Sequence, residues 1–164
     1  MDSTTPNPNQ TPQVINPAIL DDHQKDVIRK SLVDSARKLL GIQYKFGAEW
    51  ENHSALPTEL DCSEMVEGVY VINGLKMPDG AQNQLEFTLP TGNPQPGDLC
   101  FFGRSANVKQ IYHVGMIFDS HNVIEARGLQ PESSFETGKV ILRPRVAWEN
   151  YKSFVGYRAH PKLV

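Results

Sequence analysis

The chain has 164 residues, of which 39% are hydrophobic and 21% charged, and its formal net charge is −3. This length fits one domain with a substantial core plus a tail. The sequence has no basic stripe and no run of Lys or Arg, which argues against a nucleic-acid-binding protein. Two cysteines cannot form a disulfide framework, and no His/Cys cluster has the spacing of zinc ligands, so we expect reduced cysteines and no metal.

Residues 1–21 differ in composition from the rest of the chain, because they are rich in Pro, Asn and Thr. Such a segment buries little apolar surface, so we predict a flexible leader over residues 1–21 and a folded domain over residues 22–164. The leader is a candidate attachment point for a partner protein. The N-terminus lacks a basic segment followed by an apolar run, so we expect no secretory signal, and no stretch approaches the roughly 18 apolar residues of an integral membrane segment.

Helices are predicted in the first half of the folded domain. Apolar residues recur at helical spacing from Val27 to Leu40, where Asp21 or Asp22 can cap the start and Gly41 can end the helix. A second helix is predicted from Cys62 to about Ile72, with apolar residues on one side, Asp61 as its cap and Asn73-Gly74 as its stop. A third, short helix is predicted over residues 80–88.

Strands are predicted in the second half of the chain, over residues 98–103, 112–119, 122–126, 139–143 and 154–159. Their short connections favour antiparallel hairpins. Trp148 and Tyr151 are expected to pack a short turn onto the core. Helices followed by strands indicate an α+β fold, in which the N-terminal helices pack on one face of an antiparallel sheet of about five strands.

Cys62 lies where a loop runs into the second helix, and His113 lies in a predicted strand about fifty residues later. The N–H groups at a helix start favour a thiolate, which is the nucleophilic form of cysteine, and they can also hold the oxyanion that forms during attack on a carbonyl. A histidine facing the thiolate can protonate a leaving amine. Glu125 is the best candidate to orient His113 through the second ring nitrogen, although it is also compatible with the solvent face of a hairpin.

Six segments occur in the order that a known family uses. They are Leu39-Leu40-Gly41 with Tyr44 and Gly47; Asp61-Cys62-Ser63; Pro78 with Gln84; Pro96-Gly97-Asp98-Leu99 before Phe101-Phe102; His113-Val114-Gly115; and Val123-Ile124-Glu125-Ala126. Over about residues 27–159 the chain resembles the NlpC-type family of cell-wall cysteine peptidases, a compact branch of the papain-like superfamily.

The resemblance implies a papain-like fold and a hydrolase that cleaves an amide bond in the stem or cross-bridge peptides of peptidoglycan. Cys62 would attack the carbonyl, His113 would transfer the proton, and Glu125 would hold His113, with no metal and no organic cofactor. The expected substrate-binding residues are Tyr44, Ser63, Glu64 and Trp50. For Tyr44, packing at a helix–sheet edge is an equally ordinary interpretation.

Three positions depart from the family pattern. Glu64 stands where the family usually has Gly, Glu125 where it more often has His, and Asp79-Gly80 where it usually has Arg-Thr. A carboxylate can orient an imidazole and stabilise its cation, so Glu125 is compatible with activity. Glu64 and Asp79 place negative charge near the expected cleft, although wall peptides carry carboxylates themselves, and this conflict bears on the substrate.

Other functions remain open at this stage. One is a papain-like amidase, deamidase or acyltransferase that acts on a non-wall amide, and another is a non-catalytic wall-binding or virion structural module. Without a secretory signal, a wall hydrolase would be a phage-encoded enzyme or an exported effector. It would be found in the host cytoplasm or the virion and would be delivered to the wall by another factor.

Overall fold

The computed structural model describes residues 19–164. Residues 1–18, which make up most of the predicted leader, lie outside the described part. The helices are α1 Asp22–Arg37, α2 Cys62–Ile72, α3 Ala81–Phe87 and α4 Arg145–Glu149. The strands are β1 Gln43–Tyr44, β2 Glu59–Leu60, β3 Leu89–Pro90, β4 Leu99–Gly103, β5 Ile111–Ile117, β6 Asn122–Arg127, β7 Lys139–Pro144 and β8 Phe154–Ala159.

The strands form one sheet of eight strands in the order β2-β1-β7-β6-β5-β4-β8-β3. All neighbours are antiparallel except β1 and β2, which are parallel. The predicted α+β class is confirmed, but the prediction of about five strands is wrong. The three additional strands have two residues each. Two residues are too few to show the alternating pattern by which strands are recognised in a sequence.

Two hydrophobic cores lie on opposite faces of this sheet. The larger one joins residues of α1, α2 and α3 to Leu99 and Phe101 of β4. The smaller one contains Cys100 and Phe102 of the same strand together with Trp148 of α4. Because successive side chains of a strand point to opposite faces, β4 contributes to both cores in alternation.

Helix α1 has a capped start and a buried ion pair with the sheet. Asp21 caps its start, because the Asp21 carboxylate accepts a hydrogen bond from the Gln24 backbone N–H at 2.7 Å. Arg29 forms a buried ion pair with Asp98 at 2.6 Å, at the beginning of β4. The helix ends at Arg37, a turn earlier than predicted, and Gly41 follows with φ of 86°. None of the helices within residues 19–164 combines the length and the apolar character that crossing a membrane requires.

Strands β5 and β6 are paired over only part of their length. Their register joins Met116 to Ile124 and Ile117 to Val123, and no further pairing is present between these two strands. Toward His113 and the C-terminal half of β6 the strands therefore separate. This opening in the sheet is where the candidate site is built.

Candidate active site

Cys62 is the first residue of α2, and its surroundings are arranged by Asp61. The Asp61 carboxylate accepts hydrogen bonds from the Glu64 backbone N–H at 2.9 Å and from the Ser63 hydroxyl at 3.0 Å. Its other oxygen accepts from the Gly47 backbone N–H at 3.1 Å. The predicted capping role of Asp61 is thus confirmed. Cys62 is 8% exposed and borders the larger core, and it lies at the helix start, where the first N–H groups have no intrahelical acceptor.

His113 lies on β5 between Cys62 and Glu125. Its Nε2 is 2.5 Å from Glu125 Oε2, which leaves Nδ1 for the thiol of Cys62. Burial lowers the pKa of His113, but its hydrogen bonds to Cys62 and Glu125, together with their negative charges, outweigh burial and raise the pKa to about 9. The imidazole is therefore a cation at neutral pH, and it lies between the sulfur of Cys62 and the carboxylate of Glu125.

Glu125 is completely buried and has four partners. Besides His113, its carboxylate accepts a hydrogen bond from the Trp148 indole N–H at 3.2 Å. Arg143 Nε lies 3.0 Å from Oε1, and Arg127 Nη1 lies 3.4 Å from Oε2. Burial raises the pKa of Glu125, but the hydrogen bond to His113 and the charges of His113 and the two arginines lower it below its usual range. The carboxylate is therefore ionised despite its burial.

The Trp148 ring packs against the His113 ring. The two rings are stacked with centroids 5.4 Å apart, and Trp148 also stacks on Phe102 at 4.1 Å. Gly115 leaves the necessary space, because a Cβ there would lie 2.7 Å from Val123 Cγ1 and 2.8 Å from Trp148 Cζ2. The indole thus restricts the imidazole by packing and the carboxylate by a hydrogen bond.

Sequence reasoning missed the contacts of Trp148 and Arg143 with Glu125. The contact of Arg143 with Glu125 follows from the register in which β6 and β7 pair. Glu125 pairs with Ile141 across β6 and β7, so Arg143 is its diagonal neighbour on the same face. Trp148 was expected only to pack onto the core, and no local pattern links it to a carboxylate 23 residues earlier.

Tyr44, on β1, lies at the edge of the same site. Burial, followed by the charges of Cys62 and Asp61, raises the pKa of Tyr44 to about 12. Its hydroxyl is therefore protonated and can donate a hydrogen bond at neutral pH. Tyr44 and His113 both line a pocket of about 230 Å³.

The other predicted substrate-binding residues form internal contacts. Glu64 accepts a hydrogen bond from the Trp50 backbone N–H at 2.7 Å, and both residues are 5% exposed. The Trp50 ring packs on α2 so closely that a Cβ at Gly68 would lie 2.1 Å from it. Ser63 donates to Asp61. Trp50 also lines a pocket of about 500 Å³ formed by residues 45–59. Contact of Ser63, Glu64 and Trp50 with substrate stays a prediction.

The structure therefore brings Cys62, His113, Glu125 and Tyr44 together. Cys100, the second cysteine, is completely buried in the smaller core, and burial raises the pKa of its thiol well above the usual range. Within residues 19–164, only Cys62 combines a helix N-terminus with a histidine partner. The arrangement can form a thiolate–imidazolium pair, which is the requirement for nucleophilic attack by cysteine.

Solved structures with the same fold are numerous, and three illustrate the range. An NlpC/P60 family protein from Bacillus cereus is 20% identical, with a TM-score of 0.64, over 80% of this chain and 40% of that chain. The P60 domain of an antigen from M. avium subspecies paratuberculosis is 19% identical, with a TM-score of 0.63, over 83% of this chain and 96% of that chain. The peptidoglycan hydrolase RipB from Mycobacterium tuberculosis is 17% identical, with a TM-score of 0.64, over 86% of this chain and 68% of that chain.

These likenesses establish the fold. The chain spans 40% of the length of the Bacillus cereus protein and 43% of the length of an NLP/P60 family protein from Staphylococcus aureus, so each of these two relatives carries more than the part matched here. No curated protein sequence matches the chain. The sequence model of the NlpC/P60 family matches residues 41–140, a segment that contains Tyr44, Cys62, His113 and Glu125. On this match the chain belongs to the NlpC/P60 family.

Proposed function

We propose that the protein is a cysteine peptidase or amidase that hydrolyses an amide bond in the stem or cross-bridge peptides of bacterial peptidoglycan. The observation that carries this proposal is the contact chain from Cys62 through His113 to the buried, ionised Glu125. Family membership supports the substrate class. RipB and SagA, which share the fold at 17% and 21% identity, are both named peptidoglycan hydrolases.

The geometry gives each residue a step in the reaction. The Cys62 thiolate attacks the amide carbonyl, and the N–H groups at the start of α2 stabilise the oxyanion. The His113 imidazolium then donates its proton to the leaving amine as the carbon–nitrogen bond breaks, which leaves an acyl-enzyme. Neutral His113 takes a proton from water, which attacks the thioester, releases the acid and restores the ion pair.

Glu125 acts by holding His113 throughout this cycle. Its carboxylate fixes the ring so that Nδ1 faces Cys62, and it stabilises the imidazolium. The two arginines keep the carboxylate ionised. The protonated Tyr44 hydroxyl stands at the edge of the site, where it can donate a hydrogen bond to the substrate carbonyl.

The experiment is digestion of purified peptidoglycan followed by mass spectrometry of the released fragments. The wild-type protein is expected to release peptide fragments with a new amine and a new carboxylate, and Cys62→Ala is expected to release none. Cys100→Ala is the matched control, because it removes the other cysteine, which belongs to the smaller core and not to the contact chain from Cys62 to Glu125. Its fragments should be those of the wild type.

Equal product from wild type and Cys62→Ala would contradict the proposed mechanism. Cleavage of a wall-free amide by the wild type, with no cleavage of peptidoglycan, would instead identify an amidase or deamidase that acts outside the wall. The two outcomes are separated by running both substrates with the same three proteins.

A further inference from the structure

A groove leads away from His113 along the sheet. The 230 Å³ pocket that His113 and Tyr44 line is also bordered by Tyr112 and Tyr151. Tyr112 borders a second pocket as well, of about 660 Å³, whose other lining residues include Arg104 and Lys152. Tyr112 is therefore a wall of both pockets, which together form the groove, and the smaller pocket borders the candidate catalytic histidine.

The far part of this groove is built by two chain segments held side by side. Gly103 N–H donates to the Ser153 carbonyl at 2.9 Å, and Arg104 N–H donates to the Gln110 carbonyl at 2.9 Å. These backbone bonds fix the hairpin between β4 and β5 against the start of β8. Arg104 and Lys152 are thereby placed on the same pocket although they are 48 positions apart in the chain.

The groove is positively charged. Its lining includes Arg104, Lys152 and Arg127 and contains no Asp or Glu. Arg127 is engaged with Glu125, but neither Arg104 nor Lys152 forms an ion pair with a carboxylate of residues 19–164. Two unpaired cations on one pocket attract an anionic group of a ligand.

The opposite side of the site has the opposite charge. The pocket of residues 45–59 is lined by Glu49, Glu51 and Glu59 against the one cation Lys45. Glu67 and Asp79 add further carboxylates, within 4.8 Å of each other and of the buried Glu64. Because this side repels carboxylates, it directs an anionic group of the substrate toward the Arg104 side.

The chemistry of the site determines which part of the substrate lies in the basic groove. His113 donates its proton to the leaving amine, so the residue that carries this amine lies on the His113 side of the scissile bond. We propose that Arg104 and Lys152 form a subsite for a carboxylate on the leaving-group residue, with Tyr112 as the wall between this subsite and His113. This inference rests on the proposed function, and it resolves the conflict between an acidic cleft wall and a substrate that carries carboxylates.

The test uses two synthetic wall peptides that differ in a single group. In one, the leaving-group residue carries a free carboxylate, and in the other this group is a neutral carboxamide. Wild type, the double variant Arg104→Gln/Lys152→Gln and Lys109→Gln are compared by kcat/KM. Lys109 is the control because it is an exposed cation of the same hairpin that does not line the groove.

The wild type is expected to cleave the carboxylate peptide with a kcat/KM about tenfold higher than that of the carboxamide peptide. One exposed ion pair contributes roughly a two- to fivefold effect, and the effects of the two cations multiply. The double variant should lose this preference and keep its rate on the carboxamide peptide. Lys109→Gln should retain both the preference for the carboxylate peptide and the rate on the carboxamide peptide. The wild-type preference should also fall as ionic strength rises, because salt screens exposed charges.

Equal rates of the wild type on both peptides would overturn the subsite while leaving the proposed hydrolase intact. A double variant whose kcat/KM falls by the same factor on both peptides would also overturn the subsite. If the wild type cleaves neither peptide, the proposed function fails instead. The subsite is then judged by nuclear magnetic resonance titration of Cys62→Ala with the two leaving-group fragments: tighter binding of the acid supports the subsite, and equal binding overturns it.

Discussion

Glu64 shows how a single side chain can look functional in the sequence and have a structural reason in the fold. It stands two residues after the candidate nucleophile, where the family usually has Gly. In the structure its carboxylate accepts the Trp50 backbone N–H and fixes the loop of residues 45–59 to α2. A Gly at this position could not make this contact, so the departure is explained by how this loop is anchored.

The environment of Glu64 predicts an unusual dependence of stability on pH. Burial, assisted by the charges of Glu67 and Glu49, raises the pKa of Glu64 to about 7 from 4.5. A carboxyl group with a raised pKa binds protons more tightly in the folded state, so this group lowers the free energy of unfolding as pH rises from 4.5 to 7. The contribution of Glu64 therefore makes the fold more stable at pH 5 than at pH 8.

Glu64→Gln should remove this dependence. The amide oxygen still accepts a hydrogen bond from the Trp50 N–H but carries no charge. The free energy of unfolding of the variant should therefore exceed that of the wild type by on the order of 1 kcal/mol at pH 8 and match it near pH 5. Urea unfolding at both pH values measures the difference. Glu132→Gln, at an exposed position, is the control and should show no such difference. A Glu64→Gln protein that is less stable than wild type at pH 8 would contradict this account.

At the scale of elements, α4 has a larger role than its five residues indicate. Its Trp148 fills the smaller core, stacks on His113 and donates to Glu125. Tyr157 of β8 fixes the helix from outside, since its hydroxyl donates to Glu149 at 2.6 Å and accepts from Arg145 at 2.8 Å. Helix α4 lies beyond residue 140, where the match to the family model ends. The support of the candidate site therefore extends past the segment that the family model matches.

The variant Trp148→Phe should separate the packing of the Trp148 ring on His113 from its hydrogen bond to Glu125. The phenyl ring keeps the stack on His113 and Phe102, but the hydrogen bond to Glu125 is lost. We expect kcat on wall peptide to fall by about tenfold, because a hydrogen bond to a charged group contributes about 1.5–3 kcal/mol, while KM stays nearly constant. Tyr157→Phe is the matched control, since it loosens α4 without touching Glu125, and it should keep the wild-type kcat.

A purely structural role of Trp148 would give a different result. Both variants would then lose stability and neither would change kcat at a temperature where they are folded. The pH dependence of kcat distinguishes the cases further. Loss of the indole donor should raise the pKa of Glu125, so the acid limb of the kcat profile should move to higher pH for Trp148→Phe only.

The sequence predicted the helices of this fold better than its strands. The bounds of α2 agree with the prediction from Cys62 to Ile72, because a cap, an apolar stripe and an Asn-Gly stop are all local signals. The strands β1, β2 and β3 were not counted, since their two residues each are defined only by partners far along the chain. Long-range pairing is also why Arg143 and Trp148 could not be associated with Glu125 in advance.

At the scale of the whole molecule, the candidate site lies where the two cores meet. Cys62 belongs to the core of the three N-terminal helices, whereas Trp148 behind His113 belongs to the smaller core on the opposite face. The two meet through the opening between β5 and β6. This explains why the separation of two central strands is tolerated: the opening is filled by the polar contacts of His113 and Glu125.

The central claim is that Cys62 and His113 form an ion pair held by Glu125, and the most direct measurement is the rate of Cys62 alkylation from pH 5 to 9. Since Cys100 is completely buried, only Cys62 should react in the folded protein. With the pKa of His113 raised to about 9, the pair should persist through neutral pH, so alkylation should be fast and nearly constant between pH 6 and 8. In Glu125→Gln the reactive range should move to higher pH. A wild-type rate that rises about tenfold per pH unit up to about pH 8.5, as for a thiol in the unfolded chain, would contradict the account.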